Sequence, residues 1–518
     1  MTVTDSPTST RPERATRTRT PPPGRAVTPA GPPRRTTRAG DVLGRLLPSV
    51  VPGALMAGIG SIQAGRPTLS WDEVTSAEVA ARSLPQIWDM IQNIDAVFGF
   101  YYAFLHFWSA AVGSSETDLR LPSIIAMAGG VALAAELGRR LFTPMIGLIT
   151  GLILCVVPNT SRYAAEARPY AFACFFSVLA LLMLVVAVRR GRAYTWIGYG
   201  LSVTFLGLAH LVALTTLAAH AVLIAAHLWR RRRWRPVAVW AGTVIAALVP
   251  LLPLAWLGAH QEDTQLHWVE PITLGRLQDM PAEITGSAEV AWLLIGLLVL
   301  ASWRPLLRIA PIAALALGPL CALALVSALI SPMWVARYLL VVLAPMAMLA
   351  AVALAGGREG WSRFGALRIV SVLLLLAVVS VPAQRQIRGP AAKKGPDYRT
   401  AAQVVARNQQ PGDIVVYPPK NRQVRAGMDY YLDRLPTQPA DPLVRVPSAR
   451  TGLLIAEEYP DVAVHVDGAR RIWLIVGDRR DDPVTARPGL RPLLDAEYRR
   501  VGFWQPKRAT VALYEHVG

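Results

Sequence analysis

Two adjacent carboxylates, Asp72 and Glu73, follow the first long apolar run of the chain, in the sequence Trp71-Asp72-Glu73. Adjacent acids in a loop are most often ordinary solvated residues. A carboxylate held beside an apolar wall can, however, take a proton from a hydroxyl group and act as a general base. Asp72 and Glu73 are therefore candidate catalytic residues.

Three arginines stand beside predicted helix ends. They are Arg120 in Leu119-Arg120-Leu121-Pro122-Ser123, Arg168 in Glu166-Ala167-Arg168-Pro169-Tyr170, and Arg337 in Ala336-Arg337-Tyr338. A guanidinium can hold a phosphate group through two parallel hydrogen bonds. The alternative for each arginine alone is an interfacial side chain that reaches lipid headgroups. The sequence predicts that the three lie on one face of the molecule, without showing that they meet.

Histidines give weaker signals. His210 stands at the end of the apolar run 195–211, where a capping or headgroup-facing role is the more common one, and His106 lies in an aromatic run. His260, Glu262, Asp263 and His267 have irregular spacing for metal ligands. We therefore predict no metal site; a divalent metal is compatible with the sequence but not required by it.

Composition decides what kind of protein must position these residues. Of the 518 residues, 53% are hydrophobic and only 17% are charged, against about 25% charged in soluble domains. Mean hydropathy is +0.36. These values exclude a soluble enzyme and indicate a polytopic membrane protein. The net charge of +19 is not organised as a basic stripe with interleaved aromatics, so no nucleic-acid partner is expected.

Apolar runs near the length of a membrane span recur along the chain. We place about eleven transmembrane helices near 43–62, 122–138, 142–158, 169–188, 195–211, 212–228, 236–257, 287–303, 309–330, 338–355 and 366–383. The aromatic run 94–113 is predicted to lie in the membrane interface rather than to cross. Residues 1–40, rich in Arg, Pro and Thr, are predicted to be a disordered cytoplasmic tail.

The charges predict the sidedness of the bundle. Fifteen arginines form five clusters in short turns, which should face the cytoplasm. Fourteen of the 17 acidic residues in 41–382 fall in the opposite, external loops, mainly in the loop 63–121. The predicted spans have almost no charge at mid-depth, whereas ion-coupled transporters usually need ionisable groups there. Any chemistry should therefore take place at the outer face.

Composition changes again after the last span. Residues 384–518 are rich in charge and contain predicted strands at Ile414–Tyr417, Arg471–Val476 and Val511–Tyr514. They contain no phosphate-binding glycine loop and no nucleophile elbow. We predict a bundle domain at 41–383 and an extracytoplasmic α/β domain at 384–518, which recognises an acceptor or caps the bundle.

Taken in order, five elements resemble the GT-C membrane glycosyltransferases that use lipid-phosphate sugars, and most closely the protein mannosyltransferase and aminoarabinose-transferase branch. They are Trp71-Asp72-Glu73, Tyr101-Tyr102 with His106 and Trp108, Leu119 to Ser123, Glu166 to Tyr170, and Ala336-Arg337-Tyr338. The resemblance covers most of residues 41–400. Many members have His-Pro-Pro ahead of the paired tyrosines, whereas this chain has Asn93-Ile94-Asp95-Ala96-Val97.

The resemblance implies a mainly α GT-C bundle in the plasma membrane that transfers a hexose or pentose from a polyprenyl phosphate, with inversion, to an external glycan, lipid or protein. It implies Asp72, Glu73 and Glu166 as catalytic residues. It implies as donor-binding residues Arg168, Arg120, Arg337, Tyr170, Tyr102, His106 and His210. Two alternatives stay open: a lipid or solute transporter such as a flippase, and a non-catalytic glycan-binding membrane protein.

Overall fold

The computed structural model describes residues 39–355 and 362–518, and its first 18 α-helices build the bundle. The first nine helices are α1 (Ala39–Ser61), α2 (Trp71–Ala80), α3 (Leu84–Asn93), α4 (Gly99–Val112), α5 (Glu116–Leu141), α6 (Pro144–Val156), α7 (Pro158–Ala164), α8 (Tyr170–Arg190) and α9 (Ala193–Ala209). The next nine are α10 (Thr216–Arg231), α11 (Arg235–Leu248), α12 (Leu252–His260), α13 (Glu262–Leu266), α14 (Leu274–Thr285), α15 (Ala288–Ser302), α16 (Leu306–Leu329), α17 (Leu343–Ala355) and α18 (Arg363–Gln386). The 3₁₀ segments between them are Ala96–Phe98, Leu211–Thr215, Val249–Leu251 and Ala336–Val342. The predicted tail 1–40 lies almost wholly outside the described residues.

Among the described residues, seven helical segments are long and apolar enough to cross a membrane, or nine if two bent pairs each count as one span. The bent pairs are α6 with α7, at 71°, and α14 with α15, at 97°. The chain is therefore a multi-pass membrane protein. Each of the eleven predicted spans overlaps a helix, but the count of eleven crossings is not confirmed.

Arginine-rich turns contact neighbouring helix ends in two separate places. Arg304 donates to the Ala353 carbonyl at 3.0 Å, and Arg368 donates to the Leu354 carbonyl at 2.9 Å. Arg189 reaches the Arg140 carbonyl at 3.4 Å. The first two contacts lie between the 304/308 and 358/363/368 clusters and the end of α17, and the third links the 139/140 cluster to the 189/190/192 cluster; the shared side of all five clusters stays a prediction.

The aromatic run 94–113 forms the short helix α4 after the 3₁₀ turn Ala96–Phe98. Its 14 residues extend about 21 Å, which is shorter than a hydrocarbon core of about 30 Å. Its side chains bond to α2 and α5, since His106 Nδ1 lies 3.0 Å from the Ala80 carbonyl and Trp108 donates to the Asp118 carbonyl at 2.8 Å. The helix packs on α2 and α3 accordingly.

A small strand-containing domain follows α18. Its four-stranded sheet has the order β1 (Ile414–Val416), β4 (Arg471–Val476), β6 (Thr510–His516) and β5 (Tyr498–Trp504), parallel only between β1 and β4. Two short strands, β2 (Val444–Val446) and β3 (Glu457–Glu458), form a separate ribbon. The helices are α19 (Tyr398–Asn408), α20 (Arg422–Leu432), α21 (Val462–Val466) and α22 (Arg491–Glu497), with 3₁₀ turns at Ser448–Arg450, Pro483–Ala486 and Pro488–Leu490. All three predicted strands are present.

This domain shares a hydrophobic core with the short helices α2, α3 and α4, within the compact unit Gly44–Gly518. Val74 and Leu105 pack in the same buried cluster as Tyr398, Met428 and Trp473. A buried apolar contact of this kind holds α2, which carries the candidate carboxylates, between the bundle and the sheet.

The segment that leaves α18 also fixes the start of α2. The Thr68 amide donates to the Pro390 carbonyl at 2.9 Å, and the Trp71 amide donates to the Lys394 carbonyl at 3.1 Å. Gly395 has φ +125°, and a β-carbon there would lie 2.9 Å from the Trp71 side chain. Glycine permits this close approach.

Candidate active site

A cavity of about 490 Å³ lies between the short helices near the start of the chain, α2 and α3, and the long helices of the bundle. Five of the residues predicted from the sequence line it: Asp72, Arg168, Tyr170, His210 and Arg337. They come from α2, the turn after α7, the start of α8, the end of α9 and the 3₁₀ segment before α17. The other predicted residues, Glu73, Arg120, Glu166, Tyr102 and His106, are not in its lining.

Asp72 is placed by the first turn of α2. Ser70 caps this helix: its hydroxyl accepts from the Glu73 amide at 3.2 Å, and the Glu73 carboxylate accepts from the Ser70 amide at 2.9 Å. This reciprocal pair turns Glu73 inward and leaves Asp72 half-buried on the cavity wall. Within residues 39–355 and 362–518, no hydrogen bond is made to the Asp72 carboxylate, so its oxygens are available to a ligand.

Glu73 forms a fully buried ion pair with Arg120. Arg120 Nε and Nη2 donate to the two Glu73 oxygens at 2.7 and 3.0 Å, and the Ala167 amide donates at 3.0 Å. Burial raises the pKa of Glu73, but the charges of Arg120 and Lys393 outweigh this effect and hold the pKa well below its usual range. Glu73 is therefore an anion committed to protein partners.

Arg120 ties together the loop that precedes α2. Besides Glu73, its guanidinium donates to the carbonyls of Ala64, Pro67 and Thr68, at 2.6, 2.8 and 3.3 Å. The side chain has no exposed surface, and these contacts use its donors. Nothing in this geometry leaves Arg120 free to hold a phosphate.

Glu166 lies beside Lys393, a residue that the sequence did not single out. Lys393 Nζ lies 3.2 Å from Glu166 and 3.8 Å from Glu73, and it also donates to the Ala165 carbonyl at 2.7 Å. All three charged side chains are buried. The lysine therefore joins the turn after α7 to the start of α2. The 227 residues between Lys393 and Glu166 explain why no local pattern predicted this contact.

Arg168 directs a charged group with unused hydrogen-bonding capacity toward the cavity. The residue is 5% exposed, its Nε has no hydrogen-bond partner among the described residues, and its hydrogen bond to the Ser76 hydroxyl is long at 3.4 Å. Its guanidinium lies 3.9 Å from the centre of the Phe98 ring. Burial lowers the pKa of Arg168, but the charge of Asp72 together with Tyr102, Tyr170 and Asp95 raises it more, so the pKa lies well above its usual range and the cation persists.

Arg337 is a second cation with an unmade hydrogen bond, because its Nε is also buried without a partner in the part of the chain that the structure describes. The guanidinium lies 4.8 Å from the Trp268 ring centre, and Trp268 itself lines the cavity. Stacking on an aromatic face orients a guanidinium without using its N–H donors. Arg168 and Arg337 thus face one cavity with donors that the protein does not satisfy.

Aromatic rings complete this part of the wall. The His210 ring centre lies 5.7 Å from that of Tyr170 and 4.9 Å from that of Tyr338. His210 Nδ1 is buried without a hydrogen-bond partner. The structure therefore places His210 in the cavity wall beside Tyr170, and its role in donor binding, which the family resemblance implies, stays a prediction.

Asp95 also lines the cavity. It has φ +57°, a left-handed conformation that is uncommon for residues other than glycine and clusters at functional sites. Tyr102 does not line the cavity but donates to Asp95 at 2.9 Å, and Gln265 approaches it at 3.5 Å. The sequence marked Asp95 only as a departure from a family pattern. The local signal that could have identified it is an Asp before a short aromatic helix.

The remaining walls come from distant parts of the chain. Glu262 and His267 contribute from the α12–α14 region, and Arg422 contributes from the first turn of α20 in the C-terminal domain. In the described part of the chain, no three His, Cys, Asp or Glu side chains are grouped as metal ligands would be. Arg422 was not predicted, because 350 residues separate it from Asp72 in the sequence.

The combination of charges determines what this cavity can do. An unpaired carboxylate can accept a proton, and two guanidinium groups can hold a phosphate and the negative charge that it gains on departure. An enclosed site with partly desolvated walls makes both effects stronger than they would be in water. Acid–base chemistry beside a phosphate-bearing ligand fits this set of residues.

Comparisons with known proteins agree with this architecture. Residues 99–256 match the family model described as dolichyl-phosphate-mannose-protein mannosyltransferase. ArnT from Cupriavidus metallidurans bound to undecaprenyl phosphate is similar in structure, with TM-score 0.57 and 15% identity over 90% of this chain and 97% of that one. The chain has the GT-C fold. Apo ArnT from the same organism gives TM-score 0.59, with the same identity and coverage.

The predicted resemblance to GT-C glycosyltransferases is therefore confirmed at the level of the fold, and the family model and these structural neighbours are glycosyltransferases. No curated protein sequence matches the chain. At 15% identity the neighbours show the fold of this GT-C protein and leave its substrates to be inferred from the cavity.

Proposed function

We propose that this GT-C protein transfers a sugar, a mannose-like hexose or a pentose, from a polyprenyl phosphate to an extracytoplasmic acceptor. The main support is the shared cavity of Asp72, Arg168 and Arg337, in which both arginines keep an unmade Nε hydrogen bond. The ArnT structure with undecaprenyl phosphate supports a lipid phosphate as the ligand. The outer side of a membrane has no nucleotide pool, so an activated sugar must arrive on such a lipid.

In the proposed reaction, an acceptor hydroxyl attacks the anomeric carbon of the sugar while Asp72 takes the hydroxyl proton. The bond between that carbon and the phosphate oxygen breaks, and the electron pair leaves with the polyprenyl phosphate. Arg168 and Arg337 hold the charge that develops on the leaving phosphate. A single displacement of this kind inverts the anomeric centre.

Five other residues predicted as site residues take supporting positions in this proposal. Glu73 and Arg120 fix the start of α2. Glu166 holds Lys393 against the turn after α7. Tyr102 holds Asp95, and His106 holds the end of α2 through Ala80. They are positioning residues, because their polar atoms are used by the protein and do not line the cavity.

We further propose that the C-terminal domain contributes to acceptor recognition through Arg422. This side chain lines the cavity, and in the described part of the chain it forms no ion pair. An arginine at the rim favours an acceptor with hydroxyl-rich or anionic groups. Deleting the whole domain would not test this role, because residues 390–394 bond to the loop at the start of α2.

Asp72→Asn, Arg168→Ala and Arg168→Lys in the reconstituted protein test the main proposal. With a synthetic polyprenyl-phosphate sugar, Asp72→Asn should lower turnover by about 10²–10⁴-fold and leave donor binding intact, because the amide cannot accept a proton. Arg168→Ala should also weaken donor binding, by about 1.5–3 kcal/mol. Arg168→Lys should restore only part of it, since an ammonium lacks the planar fork.

The reaction product separates this proposal from its rivals. Wild-type protein should release free polyprenyl phosphate from the sugar-loaded lipid, whereas a flippase would move the lipid intact and a glycan-binding protein would leave it unchanged. If Asp72→Asn keeps wild-type turnover, Asp72 is not the general base, and Glu73 or Glu166 becomes the candidate. Mass spectrometry of envelope glycans from cells that lack the protein would identify the sugar and the acceptor.

A further inference from the structure

A second large cavity lies at the opposite end of the bundle from the candidate active site. Its volume is about 980 Å³. Helix α8 connects the two cavities, because Tyr170 at its start lines the first and Arg189 near its end lines the second. The 21 residues of α8 span about 30 Å, so the second cavity lies near the other surface of the membrane.

The walls of this cavity divide into a basic part and an apolar part. The basic part consists of Arg189, Arg230, Arg231 and Arg233. The apolar part includes Leu141, Leu184, Val185, Leu223, Ile224 and Pro311. The residues come from the ends of α5, α8 and α10, from the turn between α10 and α11, and from α16, so a ligand here would contact four helices at once.

Among the described residues, three of the four cavity arginines have no acidic partner. In the described ranges 39–355 and 362–518, Arg189, Arg231 and Arg233 form no ion pair. In the neighbouring α5 cluster, by contrast, Arg139 and Arg140 both bond to Glu136. These three guanidinium groups over an apolar wall are complementary to an anion attached to a hydrocarbon chain.

We propose that this cavity binds an anionic phospholipid of the leaflet opposite the active site. The phosphate lies among Arg189, Arg231 and Arg233, and the upper acyl chain lies against Leu184 and Leu223. Ligand cavities commonly have volumes of about 300–1,000 Å³, which accommodates a headgroup and the first part of a chain. The lipid would hold the ends of α8 and α10 together, independently of the proposed sugar transfer.

Native mass spectrometry of the full-length protein in detergent can test the site, with dioleoyl phosphatidylglycerol and dioleoyl phosphatidylcholine as probes. Wild-type protein should retain one copy of phosphatidylglycerol at concentrations at which phosphatidylcholine is lost. The cavity variant Arg189→Gln/Arg231→Gln/Arg233→Gln should bind phosphatidylglycerol more weakly by on the order of a hundredfold.

A matched control removes the same charge from the same turns. Arg190, Arg192 and Arg235 are exposed in the adjacent turns and do not line the cavity. The variant Arg190→Gln/Arg192→Gln/Arg235→Gln should weaken binding by less than about tenfold, because these arginines contribute only general attraction. Equal losses in the two triple variants would show a diffuse basic surface and would overturn the proposal.

Two more measurements test where the acyl chain lies and whether the anion must carry one. Ala226→Phe keeps every arginine but fills part of the cavity, so it should also displace the lipid; retention of wild-type affinity would overturn the position of the chain. Inorganic phosphate should not compete at concentrations similar to that of the lipid. Equal competition would show a site for free phosphate instead. Thermal unfolding of each variant checks that a loss of binding is not a loss of fold.

Discussion

Replacing Glu73 by Gln should destabilise this protein, whereas replacing its neighbour Asp72 by Asn should leave stability unchanged. The Glu73 carboxylate accepts from Arg120 at 2.7 and 3.0 Å, and both side chains have no exposed surface. Glutamine keeps the shape but removes the charge, which leaves Arg120 as a buried cation opposite a neutral amide. Asp72 has no such partner.

The size of the effect follows from these contacts. Removing one partner of a buried ion pair costs about 3–5 kcal/mol, and two hydrogen bonds to a charged group at about 1.5–3 kcal/mol each give a similar figure. Because glutamine can still make one of the bonds, we expect a loss of about 3 kcal/mol, at the lower end of the range. Asp72→Asn should change stability by less than about 0.5 kcal/mol.

The stability difference between wild type and Glu73→Gln should depend on pH with a definite sign. Burial raises the pKa of Glu73, but Arg120 and Lys393 lower it more, so the folded-state pKa lies below the unfolded value of about 4.3. The stabilisation is therefore complete above about pH 4.3 and is lost as the pH falls through the folded-state pKa. The stability gap between wild type and Glu73→Gln should stay constant near neutrality and shrink only in acid.

Denaturant unfolding in detergent, followed by tryptophan fluorescence, measures the loss in the free energy of unfolding. The turnover of each variant is then normalised to its folded fraction. Adding Arg120→Met to Glu73→Gln should cost less than the sum of the two single effects, because the uncompensated cation is removed. A Glu73→Gln variant that unfolds like wild type and binds donor but does not turn over would refute the structural role. Glu73 would then be the base.

Three other substitutions test the cavity walls. Gly395→Ala should lower kcat by about tenfold to a hundredfold in a turnover assay, because a β-carbon would press on Trp71 and shift α2. Phe98→Leu removes the ring beneath Arg168 and should weaken donor binding by about two- to thirtyfold in a titration. Arg422→Ala should raise the KM for acceptor and leave donor affinity unchanged, as measured by initial rates at fixed donor concentration.

Each of these substitutions has a matched control. Gly412→Ala also introduces a side chain at positive φ, +89°, but meets nothing within 4 Å, so it should leave kcat intact. Phe100→Leu and Arg407→Ala remove the same residue types from exposed positions outside the cavity. If a control variant changes kcat, donor affinity or acceptor KM as much as the variant it is paired with, the role assigned to that residue is contradicted.

The sequence by itself determined the class of protein and the course of the chain. Hydrophobic runs, arginine-rich turns and strand patterns are local signals, and hydration of polar and apolar groups acts on them wherever they lie in the fold. For this reason the helices overlapping the predicted spans and the three predicted strands were found in place. Local patterns also brought Asp72, Arg168, Tyr170, His210 and Arg337 onto the candidate list.

Only the tertiary structure distinguishes the roles of residues that have the same charge. Asp72 and Glu73 are neighbours, but successive residues on a helix point about 100° apart, and the contact with Arg120 decides which of them faces the cavity. Arg120 and Arg168 also differ only in what surrounds them. Lys393 and Arg422 reach this region from distant parts of the sequence, through packing that no local pattern encodes. Burial and partners in space, and not residue type, decided which charges remain available to a ligand.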